Sequence, residues 1–137
     1  MLNLHPYLNF MGQTAEAMNF YKSVLGGELT VQTYGESGMP GKEEEKNLTM
    51  HAELKTENFT FFAADGNSEH KVHMGDNISM SLVGDDDETL TNWFNGLADG
   101  GKVDMPLEKA PWGDKFGMLT DKFGVHWMVN ISAKNPQ

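Results

Sequence analysis

Cysteine is absent from the 137 residues, which excludes disulfides, thiolate zinc sites and cysteine nucleophiles and is consistent with a reducing compartment. Arginine is absent too: the ten basic side chains are all lysines, against twenty Asp plus Glu, for a formal charge of −10. That balance opposes binding to a phosphate backbone, so nucleic acid is not expected as a partner; on electrostatic grounds it favours cationic small molecules. No apolar run approaches the roughly 18 residues of a membrane span. The opening MLNLHPYLNF has no basic region followed by a long apolar stretch, so neither export nor membrane insertion is expected and the expected location is cytoplasmic. Without a GxSxG motif or a cysteine, covalent acyl chemistry is disfavoured.

What is present suits one compact domain. Apolar residues make up 39% of the chain, with eight Phe, three Trp and ten Met, enough for a core at this length. The stretch Pro111 to Asn130, PWGDKFGMLTDKFGVHWMVN, reads as a hairpin. Asp121-Lys122-Phe123-Gly124 supplies the turn between the apolar runs Phe116 to Leu119 and Val125 to Ile131. In its second strand His126, Met128 and Asn130 share one face, and Val125, Trp127, Val129 and Ile131 the other.

Upstream, Leu2 to Phe10 alternates as a first strand. Thr14 then caps a helix to about Leu25, with a stripe of Ala17, Phe20, Tyr21 and Val24 and a stop at Gly26-Gly27. Glu28 to Tyr34, Leu48 to Leu54 and Phe59 to Ala64 read as strands, with Gly35 to Asn47 an exposed loop. Asp65 to Asn77 is a polar connector. A strand at Ile78 to Val83 follows, then an acidic helix start at Asp85 to Glu88 and an apolar stripe of Leu90, Trp93, Phe94 and Leu97 before Gly100-Gly101. Leu4 and Ile78, Leu8 and Leu82, and Gly26 and Gly100 are each 74 residues apart. The order strand, helix, three strands therefore occurs twice, which predicts an α+β fold of two βαβββ modules. Each would form a curved four-stranded mixed sheet with its helix on the convex side, leaving polar cups as the default ligand site.

The segments HPYLNFMGQTAEAMNFYKSVLGGEL, NLTMHAEL, TNWFNGLADGGKV and PWGDKFGMLTDKFGVHWMVN together resemble the PhnB-like branch of the vicinal oxygen chelate superfamily, relatives of glyoxalase I and bleomycin-resistance proteins. The resemblance covers nearly the whole chain. It implies a single glyoxalase-like domain over 1–137, with module one at about 1–65, a connector at about 66–77 and module two at about 78–132. It also implies a homodimer. Some members carry a ubiquinone-methyltransferase label, but no glycine-rich loop follows a strand in a parallel βαβ unit here to hold a methyl donor.

In the superfamily's enzymes a divalent metal sits in the cup on ligands from four strands. His5 stands at the first of these positions. The second falls among Thr60, Phe61 and Phe62, the third at Asn77 or Ser79, and the fourth at Met128, whose thioether suits a hard cation poorly. No cofactor is therefore expected, with a divalent metal on His5 kept as the alternative. His51 and Glu53 are two apart and share a strand face. The candidate ligand-binding residues are His5, Tyr7, His51, Glu53, Trp112, Phe116, His126 and Met128. Two readings stand. One is a metal-free protein whose cups bind a small organic ligand, cationic or aromatic. The other is a metal-dependent lyase, isomerase or dioxygenase using His5 with a non-standard ligand set.

Overall fold

The alternating and helical patterns both form where the spacing places them. A computed structural model describes residues 1–38 and 41–133, which divide into two compact units, Met1–His73 and Met74–Gln137. In the first unit the strands are β1 (Tyr7–Phe10), β2 (Glu28–Thr33), β3 (Thr49–Lys55) and β4 (Thr60–Asp65), with helix α1 (Thr14–Leu25) between β1 and β2. The sheet order is β1-β4-β3-β2, with β1 parallel to β4 and the other pairs antiparallel. A single helical turn α2 (Tyr34–Ser37) and a 3-10 turn at Glu43–Glu45 follow β2.

The second unit repeats the plan. Its strands are β5 (Met80–Gly84), β6 (Lys102–Lys109), β7 (Lys115–Thr120) and β8 (His126–Ile131), and its helix is α3 (Asp87–Ala98). The order is β5-β8-β7-β6, again with one parallel pair, β5 with β8. Even the joint closing each sheet recurs: Gly66 N–H donates to the Phe10 carbonyl at 2.7 Å, and Ser132 N–H to the Gly84 carbonyl at 2.7 Å. The α+β fold of two βαβββ modules is as the sequence predicts.

Each helix lies on one face of its own sheet. Ala17, Met18, Tyr21 and Leu25 of α1 are buried with Ala52, Leu54, Phe61 and Ala63; Leu90, Phe94 and Leu97 of α3 are buried with Leu119, Trp127, Val129 and Ile131. Full burial of each large side chain stabilises by about 1.5–3 kcal/mol. Strand periodicity sends the alternate residues, among them Phe62, Met118, His126 and Met128, to the face away from the helix, where they are half-buried.

Four local readings change. The first strand begins at Tyr7 rather than Leu2, and Leu2 and Leu4 are exposed at 98% and 97%. Thr14 is the first helical residue, not the cap; Gln13 occupies the cap position without a side-chain bond. The capping acceptor comes from across the sheet. Asp65 Oδ1 accepts from Gly12 N at 2.8 Å, Thr14 N at 3.1 Å and Thr14 Oγ1 at 2.7 Å, while Oδ2 accepts from Thr49 N at 2.8 Å. Asp65, read as the start of the connector, is thus a buried strand end that ties β4 to the starts of α1 and β3. The loop Gly35 to Asn47 is more ordered than its composition suggests. Thr33 and Glu36 form a capping box, and Gly35 N–H donates to the Lys46 carbonyl at 2.9 Å. Met39 and Pro40 of that loop lie outside the described residues.

Candidate functional site

On the β-sheet face away from α1, Phe62 of β4 is ringed by three aromatic side chains. His5 meets it edge-on with centroids 5.2 Å apart and planes at 81°, His51 lies 5.3 Å away and Tyr7 5.8 Å away. Strand register explains the convergence: Tyr7 pairs with Phe62 across the parallel ladder, Glu53 pairs with Phe62 across the antiparallel one, and His51 sits two residues from Glu53 on the same face. Offset and edge-to-face rings at these distances attract beyond their buried area. The structure therefore brings together His5, Tyr7, His51 and Glu53 of the first unit. Sequence reasoning noted Phe62 only as a position lacking a metal donor and missed that it is the hub of the cluster; its alternation with the core residues Phe61 and Ala63 was the available signal.

Hydrogen bonds fix two of these rings. The Thr60 carbonyl can only accept, so its 3.0 Å contact with His5 Nδ1 places a hydrogen on Nδ1 and leaves Nε2 for other partners. Tyr7 Oη and His51 Nδ1 are 3.0 Å apart. Partial burial, with the Tyr34 phenol adding to it, pushes the Tyr7 hydroxyl above its ordinary value, so it is neutral near pH 7. Glu53, opposite Phe62 in the β3–β4 ladder, shares this sheet face and adds a half-buried acidic residue to it.

The second unit holds two smaller groups. Trp112, 61% exposed, meets Phe116 edge-on at 5.5 Å and donates from Nε1 to Asn130 Oδ1 at 3.4 Å. Asn130 Nδ2 in turn donates to Asp114 Oδ2 at 3.0 Å, and Ala133 N–H donates to Asp114 Oδ1 at 3.0 Å. The Asn130 bond and then the Ala133 bond hold the Asp114 carboxyl below its ordinary value. His126 pairs with Thr120 across the β7–β8 ladder, and Met128 with Met118. Trp127, by contrast, is core: its indole N–H donates to the buried Asp121 Oδ2 at 2.8 Å, while Asp121 Oδ1 accepts from Phe123 and Val125 N–H to close the turn. Trp93 is only half-buried.

The donor set does not fit the usual divalent metal. None of Thr60, Phe61 and Phe62, among which the second ligand position falls, nor Met128 at the fourth, offers a carboxylate or imidazole, and no group of three or more His, Cys, Asp or Glu converges among the described residues. A cavity of about 460 Å³ lies elsewhere, between Tyr34, Lys42, Glu43, Glu45, Lys46 and Glu69. Its lining mixes Lys42 and Lys46 with Glu43, Glu45 and Glu69, whereas the ring cluster gathers aromatic side chains around one centre. No helix among the described residues is long and apolar enough to cross a membrane.

Comparison with known proteins agrees with this geometry. A solved structure, protein PA1353 from Pseudomonas aeruginosa, is 36% identical with a TM-score of 0.85, covering 98% of this chain and 100% of that one. A putative 3-demethylubiquinone-9 3-methyltransferase, PhnB protein, from Bacillus cereus is 28% identical with a TM-score of 0.76, covering 96% of this chain and 100% of that one. At 14% identity the fold is shared with a glyoxalase/bleomycin resistance protein/dioxygenase family enzyme from Burkholderia phytofirmans PsJN, with a TM-score of 0.62 over 93% of this chain and 97% of that one. The family described as 3-demethylubiquinone-9 3-methyltransferase matches residues 3–130. The chain belongs to that family, and its fold is that of the glyoxalase/bleomycin-resistance proteins.

Proposed function

We propose that the protein binds a small, flat, cationic or aromatic organic ligand on its ring cluster, without the superfamily's metal, as a cytoplasmic homodimer of single-domain chains. The observation that carries this reading is the packing of His5, Tyr7 and His51 around Phe62, on the strand where the second ligand position falls among Thr60, Phe61 and Phe62. A phenyl ring cannot ligate a cation but its face attracts one, as do the Tyr7 ring and the Glu53 carboxylate. The net charge of −10 adds long-range attraction of the same sign. Trp112 and Phe116 supply a second aromatic surface, with His126 and Met128 on the same sheet.

Methyl transfer, which the family's description mentions, receives no support from the loops after the first strand of each unit. β1 reaches α1 through Met11, Gly12 and Gln13, and β5 reaches α3 through Asp85 and Asp86; neither is the glycine-rich turn that cradles a nucleoside-bearing donor.

The test uses tag-free protein, calorimetry with a panel of methylated pyridinium and acridine dyes, and separate titrations with manganese, iron, nickel and zinc salts. Saturable dye binding that weakens about tenfold in Phe62→Ala is expected, the equivalent of one lost aromatic contact. Dye binding unchanged by Phe62→Ala would remove the ring cluster from the site. Stoichiometric metal binding abolished by His5→Ala would overturn the metal-free reading.

A further inference from the structure

The open face of the second unit carries a hydrogen-bonded chain that the ligand reading does not use. Thr120 Oγ1 donates to Asp104 Oδ2 at 2.7 Å and also lies 3.0 Å from His126 Nδ1. A hydroxyl has one hydrogen, and here Asp104 takes it. The contact with His126 therefore requires the hydrogen to sit on Nδ1, with the Thr120 oxygen accepting. The order His126 Nδ1–H to Thr120 O–H to Asp104 carboxylate is then fixed in direction, and Nε2 is the bare, proton-accepting nitrogen.

The backbone places each member. Thr120 and His126 are direct partners across the β7–β8 ladder, joined by the turn that Asp121 closes. Asp104 sits where the β6–β7 register slips: Val103 pairs with Leu119 and Met105 with Met118, so Asp104 is the extra residue of a bulge. A bulge re-aims one side chain out of the regular alternation, and here it turns a carboxylate onto Thr120. Lys102 Nζ, at 3.7 Å from the other carboxylate oxygen, leaves the bond to Thr120 as the short one.

We propose that Asp104, Thr120 and His126 form a proton-accepting site for a ligand bearing a weak O–H acid, such as a phenol or an enol, with His126 Nε2 as the acceptor and Thr120 and Asp104 as positioning residues. The ligand O–H bond breaks, its proton joins Nε2 and the electron pair stays on the ligand oxygen. The resulting imidazolium keeps its Nδ1–H on Thr120, and the Asp104 charge, relayed through the hydroxyl, offsets the new positive charge. This goes beyond the ring cluster of the first unit and stands whether or not that cluster holds a ligand.

The experiment labels the histidines of the full chain with nitrogen-15, reads each ring's tautomer by NMR, and adds 4-nitrophenol, whose anion is yellow, counting as phenolate formed only the excess over protein-free buffer at the same pH. The wild type is expected to show His126 with hydrogen on Nδ1 and to generate the phenolate on addition of the phenol. Thr120→Ser keeps both properties. Thr120→Val moves the hydrogen to Nε2 and lowers the phenolate formed by about tenfold, and His126→Phe abolishes it. His5, held by a backbone carbonyl, keeps its Nδ1 hydrogen throughout and reports that each variant is folded. An Nε2 hydrogen on His126 in the wild type, a tautomer that Thr120→Val leaves in place, no phenolate with the wild type, or equal phenolate with His126→Phe would each overturn the proposal.

Discussion

Phe62 lies on the strand where a metal-dependent relative would carry a donor atom, and none of Thr60, Phe61 and Phe62 offers a carboxylate or imidazole. The consequence reaches its neighbours, because His5, Tyr7 and His51 pack on a ring instead of converging on an ion. Tyr7 gives this arrangement a pH signature. Partial burial, then the nearby Tyr34 phenol, raise its hydroxyl above the usual 10.0, so folding favours the neutral phenol. That stabilisation is fully present below the unfolded tyrosine value and is lost as pH rises through the higher folded value. Thermal melts from about pH 8 to about pH 11 should therefore fall less steeply at the alkaline end for Tyr7→Phe than for the wild type. Parallel slopes would mean that Tyr7 ionises as freely in the fold as in the unfolded chain.

The elements repeat because two glycine pairs do the same work. A Cβ on Gly27, at φ +97°, would come 2.5 Å from the Lys55 carbonyl oxygen at the end of β3; one on Gly101 would run into the Thr120 carbonyl oxygen at the end of β7. In each unit the helix exit therefore presses against the end of the same strand in the repeat. Gly12, at φ +87°, has nothing within 4 Å. Urea denaturation should show Gly27→Ala and Gly101→Ala destabilised by about 2–4 kcal/mol each, Gly27 from collision as well as backbone strain and Gly101 from collision alone, against about 1–2 kcal/mol for Gly12→Ala. Equal losses at all three would leave the close approaches without energetic weight.

The 74-residue spacing of these glycines was legible in the sequence, as were both helices and the strand alternation, because each is a local pattern. What was not legible depends on distant pairing. Thr14 has the right chemistry for a cap and stands before an apolar stripe, but its hydroxyl is spent on Asp65, 51 residues away. The Asp104 bulge belongs to the register of β6 against β7 and leaves no mark in β6 alone. At the candidate site the polar members on β1 and β3 could be read from face-sharing. The central Phe62 was missed although its alternation with Phe61 and Ala63 carried the signal, because a phenylalanine between core residues looks like one more of them.

For the whole molecule the question is what covers its apolar edges. β6 is an edge strand exposed at every residue except Leu107, with Val103 and Met105 at 45% and 46%, and Val83 of the other edge strand in that sheet is 65% exposed. Unpaired strands with apolar side chains invite a partner, and a second copy presenting the same patch is the commonest one. Opposing this, two chains each of net charge −10 repel, with a range that shrinks to about 8 Å at physiological salt. The two effects separate on titration with sodium chloride. Sedimentation equilibrium at micromolar concentration should give twice the 15.2 kDa chain mass, with dissociation weakening as salt rises because screening removes repulsion and leaves apolar burial intact. Met105→Glu, which adds charge to the edge, should shift the equilibrium toward monomer and make it more dependent on salt. A wild-type monomer under these conditions would refute the dimer, and a dimer indifferent to Met105→Glu would move its interface away from β6.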